Sequence, residues 1–421
     1  MRLLIVLVAL TGLAFAYGAG WPDVSRLGLT QSVALHDTLR IDRYASQTRD
    51  RARHGDHWYS DKAPGISLLA LPPFEAMRAL HLVDRSDEKQ GIWHDRALLM
   101  AARLLTGGLA FVLCVLLVGI AADTLRPGTA VPVAATFALA TMALPLAATV
   151  LGHTAAGAAA LAAFLLARKG RAFPAGVCAG AAVVFEYQAA IVAVAVAVFL
   201  LWRSRSPRAI GLYGLGALPL LVLLGAYDLS AFGSPFHVSY RYVVDFPQQQ
   251  NFFGVGSPTL HGLREVLVGH RGLLVFSPVL LLAAAGLGLL WRRGLQADAV
   301  LCGSVSAAFV LLAAGYYDPL GGLSPGPRLV MPALPFLVLG LCETFPRWPV
   351  LSGVVALVSV GGMVYQAGTY GPNFDFSTVW WWLGVPRPVG FTLVALACCA
   401  ALGLAAQALR ANAISVSEPD G

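Results

Sequence analysis

The chain has 421 residues, of which 57% are hydrophobic and only 12% are charged, and its mean hydropathy is +0.71. So many apolar side chains have no place in a water-soluble domain of this length, so the composition indicates a polytopic helical membrane protein. The net charge of +7 comes from short basic clusters between apolar segments. Clusters of that kind set membrane orientation and do not indicate a nucleic-acid partner.

Apolar stretches that reach or approach the length of a bilayer span recur along the whole chain. We expect a single integral-membrane domain, 1–421, that is all-α with about twelve transmembrane helices. The predicted spans are 2–20, 97–121, 130–150, 152–168, 172–186, 187–202, 209–231, 273–291, 298–314, 329–345, 349–366 and 388–409. Residues 2–20 also fit a signal peptide, but an uncleaved first helix is preferred because it tethers the segment that follows.

The stretch 172–202 is either one long helix or a pair of short helices that turns at Glu186. With a pair, the short basic clusters between spans all fall on the side of Arg2, as the positive-inside rule requires. The sequence therefore favours the pair, with both termini and the short tail 411–421 cytoplasmic. A low lysine content, with abundant Ala, Gly, Leu and Val, favours a bacterial plasma (inner) membrane.

The same count places four loops outside the membrane, namely 21–96, 232–272, 315–328 and 367–387. The first of them carries half of the 22 acidic residues, which makes it the candidate catalytic loop. Within it, residues 66–82 are largely apolar but are interrupted by Pro72-Pro73. We expect an interfacial helix there, lying on the membrane and not spanning it.

The most polar part of this loop runs from Gly55 to Gly65 and places Asp61 next to Lys62. The following Ala63-Pro64 favours a turn and then a helix start near Pro64, whose amide groups would add to Lys62 as an anion site. A phosphate at the membrane surface suits that arrangement. The alternative is a solvated loop with an incidental salt bridge.

These features resemble the C-type (GT-C) glycosyltransferases that use polyprenyl-phosphate sugars, above all the protein O-mannosyltransferase and lipid A aminoarabinose transferase group. The matching residues follow a first helix in the order Asp23, Arg26, Tyr59, Asp61, Lys62 and Pro64. Two departures stand out: Asp23 lacks a second acid beside it, and Ala63-Pro64 replaces the two prolines that are common in the group.

The resemblance implies an inverting transfer of a sugar from a polyprenyl-phosphate donor to an extracytoplasmic acceptor, which could be a lipid, a glycan or a protein. It implies Asp23 as general base, Asp61 as a second acid or metal ligand, and Lys62 with Arg26 as phosphate ligands. Because Asp23 stands alone, other acids of the loop are alternative bases, namely Asp37, Asp42 and Asp50.

The other outer loops add candidates. Arg271 precedes the eighth span, and Arg328 follows a loop rich in glycine and proline, so both are further candidates for binding the donor phosphate. Candidates for the substrate pocket are Tyr59, His237, Tyr240, Asp318 and Glu186. His153 lies at an apex comparable to that of Glu186. Aromatic residues and arginines at a membrane interface also serve as simple anchors, which is the alternative role for these residues.

The sequence leaves open whether a metal binds and whether the protein has a function other than glycosyl transfer. Asp61 with His237 or His270 could bind a divalent metal, although no ligand spacing marks such a site.

The alternative function is a membrane transporter or lipid flippase without glycosyl transfer, which would place charges near the bilayer midplane in broken helices. The predicted spans are nearly free of charge, and this favours the enzyme. The sequence specifies neither the sugar, the acceptor nor the oligomeric state.

Overall fold

The computed structural model describes residues 1–14, 20–82, 92, 96–147, 149–369 and 387–417. Helices dominate these residues and lie on all of the predicted spans, which confirms the all-α membrane class. The helices are α1 (Arg2–Ala14), α2 (Trp21–His36), α3 (Gly65–Leu69), α4 (Leu71–Ala79), α5 (Arg96–Arg103), α6 (Leu109–Leu125), α7 (Ala130–Ala140), α8 (Ala143–Leu146), α9 (His153–Arg168), α10 (Ala172–Phe185), α11 (Ala190–Ser204), α12 (Pro207–Phe232), α13 (Leu260–Val268), α14 (Leu273–Phe276), α15 (Val279–Arg292), α16 (Gln296–Gly315), α17 (Leu334–Leu337), α18 (Leu341–Arg347), α19 (Pro349–Thr369) and α20 (Arg387–Ser417).

Length and composition separate these helices into two groups. Among the described residues, 6 helices are long and apolar enough to cross a membrane, and the bent pair formed by 260–276 and 279–292 makes up to 7. Shorter apolar helices occupy the five remaining predicted spans. The number of about twelve spans therefore stays a prediction.

The stretch 172–202 folds as two helices, as expected. Helix α10 ends at Phe185, and α11 begins at Ala190 after a short 3-10 turn. Arg168, just before α10, and Arg203, near the end of α11, both pair with the buried carboxylate of Asp298. The chain therefore returns to the side from which it came, as the charge pattern predicts.

A second buried acid, Glu343, pairs with further basic residues that were predicted to lie on the same side of the membrane as Arg168 and Arg203. Glu343 accepts ion pairs from Arg126 at 2.7 Å and from Arg293 at 2.8 Å. Because a buried carboxylate needs charged partners, these pairs hold α6, α15 and α18 together at one end of the bundle.

Small residues allow two of the helices to pack unusually closely. A side chain on Gly176 of α10 would collide with the backbone carbonyl of Tyr213 in α12, and one on Gly180 would meet the carbonyl of Ala217. Close backbone approach through small residues is typical of helix pairs in membranes. It fixes the register between α10 and α12.

The loop 21–96 contains more structure than the sequence predicted. Helix α2 and an antiparallel hairpin of β1 (Arg51–His54) and β2 (His57–Ser60) were not expected, and the hairpin is an exception to the all-α class. The interfacial helix predicted at 66–82 is instead the two short helices α3 and α4. Helix α4 begins anew because Pro72-Pro73 fit the first turn of a helix and not its interior.

The structure agrees with the remaining loop predictions only in part. Loop 232–272 contains the unpredicted α13, whose N-terminus is capped by the Thr259 hydroxyl, which accepts a hydrogen bond from the Gly262 N–H at 2.9 Å. Residues 370–386 of the fourth outer loop lie outside the described residues. The last predicted span continues as α20 to Ser417, so most of the predicted tail 411–421 is helical and its last residues lie outside the described range.

Candidate functional site

The Asp61-Lys62 pair lies in the protein interior. The hairpin ends at Ser60, and the next two side chains turn inwards, with Asp61 0% and Lys62 7% exposed. The Lys62 Nζ atom lies 2.8 Å from Asp61 Oδ2 and 3.1 Å from Asp50 Oδ2. The alternative of a solvated loop with an incidental salt bridge is therefore wrong, because the lysine and both of its carboxylate partners are buried.

Hydrogen bonds from two separate segments hold Asp61 in place. Ser25 of α2 donates a hydrogen bond from Oγ to Asp61 Oδ1 at 3.3 Å. Ser239, from the loop 232–272, donates from Oγ to the Asp61 carbonyl oxygen at 2.7 Å. The loop 21–96 and the loop 232–272 are thus joined at this residue.

The burial of the cluster alters its proton affinities. Burial raises the pKa of Asp61 to about 6; Lys62 opposes this rise, whereas Asp50 adds to it. Burial alone would lower the pKa of Lys62, but Asp50 and Asp61 together raise it above its ordinary value. Lys62 is therefore a cation at neutral pH, and Asp61 titrates in a range that suits proton transfer.

Glu186 joins the cluster from the turn between α10 and α11. A side chain on Gly65, the first residue of α3, would lie 2.5 Å from the Val184 carbonyl oxygen, so α3 packs directly against the end of α10. Glu186 is buried there, and its Oε1 accepts a hydrogen bond from Arg26 at 3.0 Å. His153 Nδ1 lies 3.5 Å from the same oxygen. The predicted apex residues Glu186 and His153 therefore meet.

Asp23 lies one helical turn before Arg26 on α2. Its Oδ2 accepts the Gly20 N–H at 2.9 Å, which caps the helix. The same oxygen lies 3.5 Å from the Arg103 guanidinium. Arg103 was not among the predicted site residues, although an arginine within an apolar predicted span is a signal that could have found it.

Arg328 approaches the same cluster from the third outer loop. Its side chain packs against Gly321, which has a φ of +77° in the tight loop that the sequence predicted. Arg328 Nε is buried without a hydrogen-bond partner among the described residues. His153 lies within electrostatic reach of Arg328, Arg26, Lys62 and Glu186. Four segments distant in sequence thus converge on one set of charges.

Tyr240 closes one side of the cluster. Burial raises its pKa to about 12, and Lys62, Glu186 and Asp61 all act on it electrostatically. Its ring meets that of Tyr187 edge-on at 5.7 Å. Tyr59, by contrast, packs against Phe232 at 5.4 Å. Tyr240 therefore lies at the site, whereas Tyr59 belongs to the apolar support beneath it.

Two of the alternative bases lie apart from the cluster. Asp37 is exposed at the C-terminal end of α2, about 21 Å along the helix from Asp23 at its other end. Asp42 accepts hydrogen bonds from the hairpin, namely from His57 at 2.9 Å and from the Trp58 N–H at 2.6 Å. Asp50 is the one alternative that the fold brings to Lys62.

The other loop candidates make contacts that support the loops themselves. His237 Nδ1 lies 2.9 Å from the Tyr242 hydroxyl, and the Asp318 carboxylate accepts the Leu320 N–H at 3.3 Å. Arg271 donates a hydrogen bond to the Ser324 carbonyl oxygen at 2.9 Å. No contact in the described part of the chain ties His237 or Asp318 to Lys62.

The geometry does not support the hypothetical metal site. Across the described ranges, no group of three or more His, Cys, Asp and Glu side chains is arranged to hold a metal ion. His270 is exposed and lies 3.0 Å from Arg271, so it does not join Asp61.

Comparison with known proteins gives a fold but no sequence family. No family model matches the chain, and no curated protein matches it. ArnT from Cupriavidus metallidurans in the apo state is similar in structure, with a TM-score of 0.56 and 15% identity over 96% of this chain and 74% of ArnT. The same protein bound to undecaprenyl phosphate gives a TM-score of 0.52 and 16% identity over 97% of this chain and 74% of ArnT. This chain therefore has the fold of ArnT, a GT-C protein, which confirms at the level of the fold the resemblance to the lipid A aminoarabinose transferase group.

Proposed function

We propose that this protein is an inverting glycosyltransferase that moves a sugar from a polyprenyl-phosphate donor to an extracytoplasmic acceptor. The fold supports the class, since ArnT with this fold has been crystallised with undecaprenyl phosphate. The cluster of Lys62, Arg26 and Arg328 supports the donor, because all three cations lie within electrostatic reach of His153.

The observation that carries the proposal is the state of Arg328. Its guanidinium makes no hydrogen bond or ion pair with any described residue, although its Nε is buried and it approaches the His153–Glu186 end of the cluster. Arg26 also has a buried Nε without a partner. Buried donors of this kind are costly unless a partner satisfies them, and a phosphate accepts from arginine in a fixed, strong geometry.

The reaction needs few additional parts. The acceptor oxygen forms a bond to the anomeric carbon while the bond from that carbon to the phosphate oxygen breaks, and the electron pair leaves with the lipid phosphate. A carboxylate takes the acceptor proton. We assign this proton to Asp23, while Asp61 holds Lys62 against the leaving phosphate. Asp61 is the alternative base because its pKa lies near 6.

The proposed layout puts this chemistry at the outer face of a bacterial inner membrane, with both termini cytoplasmic. The outer loops 21–96, 232–272 and 315–328 supply the site, and α4 lies on the membrane surface. A donor carried by the membrane reaches such a site laterally, which removes the need for a soluble nucleotide-binding domain. The acceptor, whether lipid, glycan or protein, enters from the outer side.

The test begins with mass spectrometry of the lipid that co-purifies with the protein. We expect a polyprenyl phosphate or its sugar-charged form. With that donor and membrane extract as acceptor source, Asp23→Asn should abolish transfer and Asp61→Asn should reduce it strongly. Full transfer by both variants would contradict the site assignment. Movement of labelled polyprenyl phosphate across liposomes without any glycosyl transfer would instead establish the flippase.

A further inference from the structure

A second set of polar side chains lies beside the charge cluster and is not used by the proposed reaction. Tyr227 and Asp228 are consecutive residues near the outer end of α12, and their side chains are 6% and 1% exposed. The Tyr227 hydroxyl and Asp228 Oδ1 are both buried without a hydrogen-bond partner in the part of the chain that the structure describes. Two adjacent unsatisfied groups of this kind are costly and indicate a missing partner.

The packing of the helices places this pair at the level of the site. Gly176 of α10 packs on Tyr213 of α12, and both helices run in the same direction. If this pairing of the two helices is extended towards their outer ends, Leu224 lies at the level of Tyr187, and Asp228 lies one helical turn further out. The parallel packing of α10 and α12 therefore agrees with a position of Asp228 near Tyr187, on which it acts electrostatically.

Electrostatic contacts connect the pair to the cluster. Asp228 acts on both Tyr187 and Tyr227, and Asp61 acts on Tyr227. Tyr187 in turn lies 3.4 Å from Ser239, which holds the Asp61 carbonyl oxygen. The pair thus lies beside Tyr187, which contacts the same serine as the Asp61 carbonyl oxygen.

The available groups define the chemistry of the missing partner. A carboxylate accepts hydrogen bonds from hydroxyl groups, and a tyrosine hydroxyl can both donate and accept. The rings of Tyr187 and Tyr240 add an aromatic wall beside them. A carboxylate, hydroxyls and aromatic faces together suit a neutral sugar, which has hydroxyl edges and apolar faces.

We propose that Asp228 and Tyr227 form the subsite that recognises the hydroxyl groups of the donor sugar while Lys62 and Arg328 hold its phosphate. This inference rests on the proposed function, since it needs a lipid-phosphate sugar as donor. It assigns discrimination among donor sugars to α12 and not to the outer loops.

The experiment compares two kinds of ligand on the purified protein in nanodiscs. Undecaprenyl phosphate without sugar is the first, and undecaprenyl phosphate carrying glucose or arabinose is the second. Asp228→Asn should leave the affinity for the bare lipid within about twofold but weaken binding of the better sugar-bearing lipid about tenfold. Tyr227→Phe should show the same selectivity, and it replaces Asp228→Asn if that variant does not fold. Ser230→Ala, an exposed position on the same helix, is the matched control and should change neither affinity.

Three outcomes oppose the inference in different ways. If the variants weaken both ligands equally, or neither, the subsite is wrong while the proposed donor stands. If the wild type binds neither sugar-bearing lipid more tightly than the bare lipid, the subsite is also wrong. If the wild type binds none of the three lipids, the proposed function fails and the subsite fails with it.

Discussion

The Nζ atom of Lys62 lies 2.8 Å from Oδ2 of Asp61, its immediate neighbour in the chain, although neither side chain is more than 9% exposed. Adjacent residues usually point apart in extended chain, so this contact depends on the turn that follows β2. Gly65 packs on α10 just after this turn. The ion pair at the centre of the site is therefore a product of the fold around it.

The protonation of Asp61 should be measurable directly. In the infrared difference between the wild type and Asp61→Asn, we expect the band of a protonated carboxyl to lose half its intensity near pH 6, because burial raises this pKa. Lys62→Met should move the midpoint to higher pH, since the cation lowers the pKa of Asp61. Asp50→Asn should move it to lower pH, since that carboxylate raises the pKa. Shifts in the same direction for both variants would contradict the described cluster.

The raised pKa of Asp61 also determines how the free energy of unfolding depends on pH. The folded-state pKa of Asp61 lies above its ordinary value of 3.8, so the native state binds more protons than the unfolded state between that value and about 6. The contribution of Asp61 to the free energy of unfolding therefore falls as pH rises through this window. Thermal unfolding of Asp61→Asn in detergent should lack this component. A wild-type contribution that rises with pH would oppose the assignment.

Arg328→Gln tests the anion site with little disturbance of the fold. Because its guanidinium makes no hydrogen bond or ion pair with described residues, its loss should leave the unfolding temperature nearly unchanged. Affinity for undecaprenyl phosphate should fall about tenfold or more, as expected for a charged hydrogen bond. Arg271→Gln is the control. Arg271 supports the loop through its hydrogen bond to Ser324, so this replacement should lower the unfolding temperature more than the affinity for the lipid. Equal affinities for wild type and Arg328→Gln would place the phosphate elsewhere.

The buried pair of Arg26 and Glu186 should show strong thermodynamic coupling. Arg26→Met leaves the Glu186 carboxylate buried with one partner fewer and should lower the free energy of unfolding by about 3 kcal/mol. Glu186→Leu in the same background should recover part of that loss. A double-mutant cycle on unfolding in detergent measures the coupling. Additive effects of the two changes would mean that the pair does not interact.

Gly65→Ala tests whether α3 holds the site in place. The added methyl group would lie 2.5 Å from the Val184 carbonyl oxygen, so α3 and the end of α10 must separate. We expect the free energy of unfolding to fall by about 2 kcal/mol or more, and binding of undecaprenyl phosphate to weaken with it. Gly214→Ala is the control, since nothing lies within 4 Å of a side chain there. Equal behaviour of the two variants would contradict the close packing at Gly65.

The sequence predicted the class of fold and the turn that divides 172–202 into two helices, because hydropathy and charge act locally and leave a direct pattern. It also identified Asp61 and Lys62, since a polar run is conspicuous in an apolar chain. It did not show that Asp50 and not Asp37 reaches Lys62, because that choice depends on the unpredicted hairpin and α2. Arg103 and Asp228 could have been singled out as ionisable residues inside apolar spans, but their neighbours, and the burial of Tyr227, are visible only in the fold.

The orientation in the membrane is accessible to labelling. In a background without native cysteines, Asp56→Cys and Ser206→Cys should react with an impermeant maleimide from opposite sides, with position 56 labelled from outside. Position 56 belongs to the loop with the site, and position 206 lies between α11 and α12. Labelling of both from outside would overturn the layout that places both termini in the cytoplasm.

We propose that Lys62, Arg26 and Arg328 together bind the phosphate of a polyprenyl lipid. The most direct test is an experimental structure of the protein in nanodiscs with undecaprenyl phosphate. We expect phosphate oxygens within hydrogen-bonding distance of Lys62 Nζ and of the Arg328 guanidinium, with the lipid tail leaving between the helices into the bilayer. A lipid phosphate bound away from both of these side chains would contradict it.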